Sequence, residues 1–202
     1  MRLGLGSVRQ WHWISSAGCL VCMLLFAITG ITLNHATDIK VTPEVTSLET
    51  SLPKSILVDL KTIAQQEDTE AELPASLTFW LQQTHSISVS KHAVAQWSED
   101  ELYVVQAGPG FDTWFAVDFI SNELSYENTD RGVIAYLNDL HKGRDTGVVW
   151  GWFLDVFSVA CIVFCLTGLL LLYRQTNHRW MTWPVTILGA IIPAIILLVF
   201  VH

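Results

Sequence analysis

Three stretches of the chain are apolar for long enough to cross a lipid bilayer, and between the first two the pattern changes character. Ile14 to Leu33 carries no charged side chain, Val148 to Tyr173 carries one acid, Asp155, and Pro184 to Val201 carries none. At about 1.5 Å per residue, roughly 20 helical residues cross a 30 Å hydrocarbon core, so each stretch predicts a spanning helix. Pro184 suits a first helical turn, and Pro193 predicts a kink near the middle of the third span. The first stretch is longer than the apolar core of a signal peptide. Asn34-His35-Ala36-Thr37-Asp38 is a poor cleavage sequence, so the stretch reads as an uncleaved span.

The intervening segment alternates between two periods. Ile56, Leu57, Leu60 and Ile63 or Ala64 share one face of a helix that opens at Pro53, and Pro74 to Gln83 is a second, shorter helical candidate. The period then falls to two through Ile87, Val89, Ala93, Ala95 and Trp97. A hairpin follows: Leu102, Val104 and Gln106, a Gly108-Pro109-Gly110 turn, Trp114 to Phe119, and a Ser121-Asn122-Glu123 turn. The expected architecture is a membrane protein of three transmembrane α-helices with an α+β insert, one or two helices on an antiparallel meander, between helices 1 and 2. The expected boundaries are an N-terminal segment over 1–11, helix 1 over 12–35, the insert over 36–147, helix 2 over 148–173, a turn over 174–183 and helix 3 over 184–202.

Composition agrees with this division. Of 202 residues, 51% are apolar and only 15% charged, and the mean hydropathy is +0.40, values that exclude both a disordered chain and an ordinary soluble domain. Residues 36–148 hold 18 of the 19 acids and 7 of the 11 bases. An insert of that sign excludes nucleic acid as a partner. Arg2 and Arg9 precede helix 1, and Arg174 and Arg179 lie between helices 2 and 3, so the positive-inside rule predicts a cytoplasmic N-terminus and an exported insert. Trp11, Trp13, Trp150, Trp152, Trp180 and Trp183 fall at the expected interfaces. Cys19, Cys22, Cys161 and Cys165 all lie in the first two spans, which excludes a disulfide framework in the insert. Cys19-x-x-Cys22 has the spacing of a redox or zinc pair, although within lipid cysteine ordinarily packs as a small hydrophobe.

No nucleophile with its base, phosphate loop or metal cluster stands out in the insert. His85 and His92, seven apart across a strand, are expected on opposite faces as solvated side chains. The informative histidines lie elsewhere. His12 begins helix 1 and His35 ends it; His141 precedes helix 2 and His178 follows it. Antiparallel spans would place His35 with His141 at the outer border and His12 with His178 at the inner one.

The spans also contain an internal echo. Phe26-x-x-Thr29-Gly30-x-x-Leu33 matches Phe164-x-x-Thr167-Gly168-x-x-Leu171, and in antiparallel helices the two copies would face opposite borders as an inverted repeat. Glycine in a span lets a neighbour or a flat ligand approach the backbone closely. Paired histidines near such glycines are what a six-coordinate haem requires: two axial imidazoles, an apolar slot and cations for its propionates. Lys142 and Arg144 are candidate cations at the outer border, and Arg9, Arg174 and Arg179 at the inner one. The competing reading takes these histidines as interfacial side chains. His12 and His35 are 23 residues apart, about 35 Å along a straight helix, a wide gap for direct electron transfer between two border haems. Asp155 lies about one turn into helix 2, where an acid is costly. It is expected to face protein as a proton or quinone contact, or to cap the helix or face water close to the outer border.

Trp11-His12-Trp13, the Thr29-Gly30…Asn34-His35 segment, and Leu140-His141-Lys142-Gly143 leading into a span with Thr167-Gly168 resemble the PepSY-associated transmembrane proteins. The strands from about 84 to 127 resemble a PepSY domain. That resemblance implies a bacterial inner-membrane protein with a periplasmic insert. Larger members include iron-regulated membrane proteins and ferric-siderophore reductases, whose transmembrane histidines hold haem b. It therefore implies one or two haems on His12, His35 and His141, and electron transfer toward ferric iron or a periplasmic partner. His178 is placed by spacing alone. This chain has three spans where the larger reductases have four or more, which points to a reduced relative or to a homo-oligomer. PepSY domains are also associated with restraining secreted peptidases, so the alternative is a cofactor-free, membrane-anchored binding module or accessory subunit.

Overall fold

The computed structural model describes residues 6–65, 72–175 and 179–201. Three helices in it are long and apolar enough to span a membrane: α1 (Val8–Asn34), α5 (Gly147–Gln175) and α6 (Thr182–Phe200). The protein is therefore a multi-pass membrane protein. Its insert between α1 and α5 runs β1 (Glu44–Ser51), α2 (Lys54–Ala64), α3 (Ala75–His85), β2 (Val94–Trp97), β3 (Glu101–Gly108), β4 (Phe111–Asp118), β5 (Glu123–Asp130) and α4 (Gly132–Lys142). The α6 helix continues through Pro193.

The chain divides into two compact units, residues 1–25 with 152–202, and residues 26–151. In the second, five antiparallel strands form one sheet in the order β1-β5-β4-β3-β2. Alternate residues Leu102 and Val104 on β3, and Phe115 and Val117 on β4, turn to one face, as a period of two dictates. Ile56 and Leu60 of α2, with Leu77 and Leu81 of α3, join them in a single buried core. Pro53 and Pro74 precede the two helices, where a missing N–H costs nothing.

Strand β1, helix α4 and the histidines of the insert depart from expectation. Strand β1, Glu-Val-Thr-Ser-Leu-Glu-Thr-Ser, is almost wholly exposed. It forms through its ladder with β5 as a polar edge strand, so no alternation of apolar residues announces it. His85 and His92 do not share a strand. His85 ends α3 and packs edge-on against Trp80, ring centroids 5.0 Å apart, while His92 lies exposed before β2. Only His92 is the solvated side chain that was expected.

The β4–β5 turn holds a pH-sensitive contact. Asp118 accepts from the backbone N–H groups of Ser121 (2.9 Å) and Ile120 (2.7 Å), which hold its carboxyl below the ordinary value of 3.8. A depressed carboxylate stabilises the fold above its unfolded pKa and loses that contribution as pH falls through the folded one. The amide resonances of Ile120 and Ser121 should therefore titrate together, with a midpoint below 3.8.

Candidate functional site

The hairpin between β3 and β4 positions the first candidate histidine. Gly110 at its tip has φ +76°, and a Cβ there would come within 2.9 Å of the Tyr136 backbone, so α4 lies directly on the turn. The contact is polar. Asp139 of α4, almost fully buried, accepts from the Gly110 N–H at 2.9 Å and from Arg131 Nη2 at 3.0 Å. Arg131 N donates to Gly110 O at 2.7 Å, and Arg131 Nε makes a 3.1 Å ion pair with Asp112. The α4 helix thus inverts the usual arrangement: Asn138 and Asp139 are buried, while Val133, Tyr136 and Leu137 are exposed. His141, two residues past Asp139, is the penultimate residue of α4 and does not lie in an open lead into the second span.

The His141 ring meets the first copy of the repeat. Its Nδ1 is 2.7 Å from Thr29 Oγ1, its centroid is 5.0 Å from that of Phe26, and its Cε1 lies 3.6 Å from where a Cβ on Gly30 would stand. One turn further along, Thr32 Oγ1 lies 2.9 Å from both Asn138 Oδ1 and Thr29 O. In the other unit, His12 meets the second copy in the same way. Its Nδ1 is 3.1 Å from Thr167 Oγ1, it stacks on Phe164 with centroids 4.9 Å apart, and its Cε1 lies 3.2 Å from the Cβ position of Gly168. Positions i, i+3 and i+4 line one helix face, so Phe-x-x-Thr-Gly is a cradle: an aromatic wall, a hydroxyl, and a gap where a side chain would be. The flat group lying over each glycine is the imidazole itself.

The hydroxyls determine which ring nitrogen carries the proton. Thr29 Oγ1 lies 3.1 Å from Phe26 O, and Thr167 Oγ1 lies 2.6 Å from Val163 O and 3.1 Å from Phe164 O. A hydroxyl has one proton. A threonine that gives its own to the helix backbone turns lone pairs toward the imidazole, and Nδ1 is then the donor; one that gives it to Nδ1 leaves the ring proton on Nε2. His35, just past the end of α1, places Nδ1 3.0 Å from the acceptor-only carboxylate of Asp38, with 56% of its side chain exposed. An interhelical hydrogen bond in a membrane averages about 0.6 kcal/mol, too little to hold the spans together but sufficient to orient a ring.

His178, the expected partner of His12, lies outside the described residues. Among the proposed propionate cations, Arg144 pairs with Asp145 at 3.2 Å, whereas Arg9, Lys142, Arg174 and Arg179 are exposed. Asp155 is exposed on α5 and does not face protein as first expected. At 29 residues α5 exceeds the roughly 20 needed to span, and that slack lets Asp155 ride near a border. Among the described residues, no group of three or more His, Cys, Asp or Glu is arranged to hold a metal ion, a criterion that a two-imidazole haem site does not need to meet.

The cradle partners were visible in the sequence only as a repeat. The i, i+3, i+4 spacing of an aromatic, a hydroxyl and a glycine was the available sign. The Arg131–Asp139–Gly110 tie left none, because it joins residues that no periodicity relates.

A family model described as putative PepSY_TM-like matches residues 3–202, and the chain belongs to that family. No curated protein and no solved structure matches it significantly.

Proposed function

Taking that membership as the premise, we propose that the protein is a haem b-binding electron-transfer protein of the bacterial inner membrane. Its N-terminus would be cytoplasmic and residues 36–147 periplasmic. The observation that carries this reading is a shared geometry: His12, His35 and His141 each place Nδ1 within hydrogen-bond distance of an oxygen, and Nδ1 donation there would keep Nε2 for coordination. Metal-ligating histidines characteristically donate their other N–H to an oxygen in this way, which sets the ring orientation and raises ligand basicity. The donor chemistry fits haem b. His35 and His141 would serve an outer haem, and His12, with His178, an inner one.

Bound haem supplies one-electron iron chemistry. The chain's residues hold and orient. Thr29 and Thr167 retain the Nδ1 protons of His141 and His12, Phe26 and Phe164 wall the rings against lipid, and Asp38 holds the His35 proton. The acidic insert favours a cationic electron partner or ferric complex over an anionic one, and exposed Asp155 is a candidate contact for a membrane quinone.

A second reading, a cofactor-free PepSY module on a membrane anchor or an accessory subunit, is favoured by one observation. Each glycine gap is already filled by an imidazole, and the Thr32–Asn138 contact occupies the adjoining turn, as a purely structural clamp requires. An absorption spectrum of the purified protein with and without dithionite separates the two. Haem ligation by two imidazoles predicts a Soret band and a sharpened α-band on reduction, both reduced in His141→Ala. A featureless spectrum from cells replete in haem would leave the clamp alone.

A further inference from the structure

We propose that α4 is an interfacial helix, its outward apolar stripe seated on the lipid of the leaflet at which α1 ends and α5 begins. Val133, Tyr136, Leu137 and Leu140 stand at i, i+3, i+4 and i+7, the spacing that lines one helix face. The first three are exposed, Val133 to 73%. Asn138 and Asp139, by contrast, are buried, so α4 turns its polar residues to the insert and its apolar stripe away from it. Water disfavours that arrangement and a lipid surface favours it.

Contacts with both spans fix where the stripe lies. Thr29 and Thr32 stand in the uncharged run of α1, close before its last residue, Asn34, and they meet His141 at 2.7 Å and Asn138 at 2.9 Å. Near the start of α5, Trp150 donates its Nε1–H to Leu140 O at 2.9 Å. The C-terminal half of α4 is thus pinned to the end of one span and the beginning of the next, within one compact unit. The 27 residues of α1 make a helix of about 40 Å, the thickness of a bilayer with its headgroup layers. Thr29 and Thr32 lie about 7.5 Å and about 3 Å below its end. Interfacial helices bury their apolar face about 5–10 Å into the boundary between headgroups and acyl chains, a matching depth. The side chains suit it too. Tyr136 is an amphipathic ring of the kind enriched at membrane borders, and exposed Lys142 reaches headgroups while its stem stays on apolar surface. A groove lined by Pro109, Phe111, Val133 and Tyr136, among others, extends the same surface onto the β3–β4 turn. Because this surface continues that of the spans, its occupant is lipid and not a second protein.

The test is methyl NMR of the full chain, labelled at valine and leucine, in nanodiscs of phosphatidylethanolamine and phosphatidylglycerol. Val133→Ile and Leu137→Ile keep the face apolar and assign the two signals by deleting them. A lipid carrying a nitroxide at the headgroup end of its acyl chain should broaden the Val133 and Leu137 methyls until most of their intensity is lost. A water-soluble gadolinium chelate should leave both nearly unchanged, while it broadens Val94, exposed on the edge strand β2. Broadening of Val133 and Leu137 by the chelate to the extent seen at Val94 would put the stripe in water. Shielding of both methyls from both probes would put a second copy of the chain or another protein over it. Either result would overturn the proposal.

Discussion

Replacing Asp139 by alanine should destabilise the insert by about 1–3 kcal/mol, less than the loss of a fully buried ion pair because Arg131 keeps Asp112 as its partner. The carboxylate is only 5% exposed at its side chain and Arg131 26%, so solvent cannot replace the lost acceptor. The Gly110 N–H would be orphaned in the same step, and a buried donor without an acceptor costs about 1–3 kcal/mol. Because both contacts tie α4 to the hairpin tip, His141 should lose its position as the insert softens. Thermal unfolding followed by the fluorescence of Trp97 and Trp114 in the full chain reads the stability. The Nδ1 resonance of His141 reads its attachment to Thr29. Asp139→Asn, which can still accept from Gly110, should fall between alanine and wild type.

The second large effect separates the two cradles. A Cβ at Gly168 would lie 3.2 Å from His12 Cε1, a contact that forces the ring back by a few tenths of an ångström, and His12 Nδ1 is already 3.1 Å from Thr167. Gly168→Ala should therefore break that hydrogen bond, and Gly168→Val should add an overpacking cost of about 1–3 kcal/mol. At Gly30 the same Cβ meets His141 Cε1 at 3.6 Å, ordinary van der Waals contact. Gly30→Ala should keep the His141–Thr29 bond and gain up to about 1 kcal/mol of helix propensity. Thermal unfolding of the two alanine variants in one detergent should show opposite signs. A like destabilisation of both would mean that the glycines serve something other than the rings.

Much of the fold was legible because its cause is local. Uncharged runs long enough to cross lipid define α1, α5 and α6, and alternation on either side of Gly108-Pro109-Gly110 defines β3 and β4. Helix α4 was not legible. Its apolar residues Val133, Tyr136 and Leu137 face outward and its polar residues Asn138 and Asp139 inward, the reverse of what periodicity assumes, because an ion pair and not apolar burial docks it. The site was half legible. The echo of Phe26-x-x-Thr29-Gly30 in Phe164-x-x-Thr167-Gly168 is plain in the sequence, and an imidazole lies over each of its glycines in the structure. Which histidine each copy receives depends on how helices approach one another, and no spacing along the chain encodes that. His141 and His12 meet opposite copies across 112 and 155 residues.

Two threonine hydroxyls that accept the Nδ1 protons of two imidazoles would leave the opposite nitrogens open for iron. Nitrogen-15 NMR of the protein labelled at histidine, prepared without haem and at a pH where the rings are neutral, measures this directly. His12 and His141 should each show a protonated Nδ1 and an unprotonated Nε2, and Thr167→Val and Thr29→Val should each release only the matching ring into mixed tautomers. A protonated Nε2 at both histidines in the unaltered protein would contradict it.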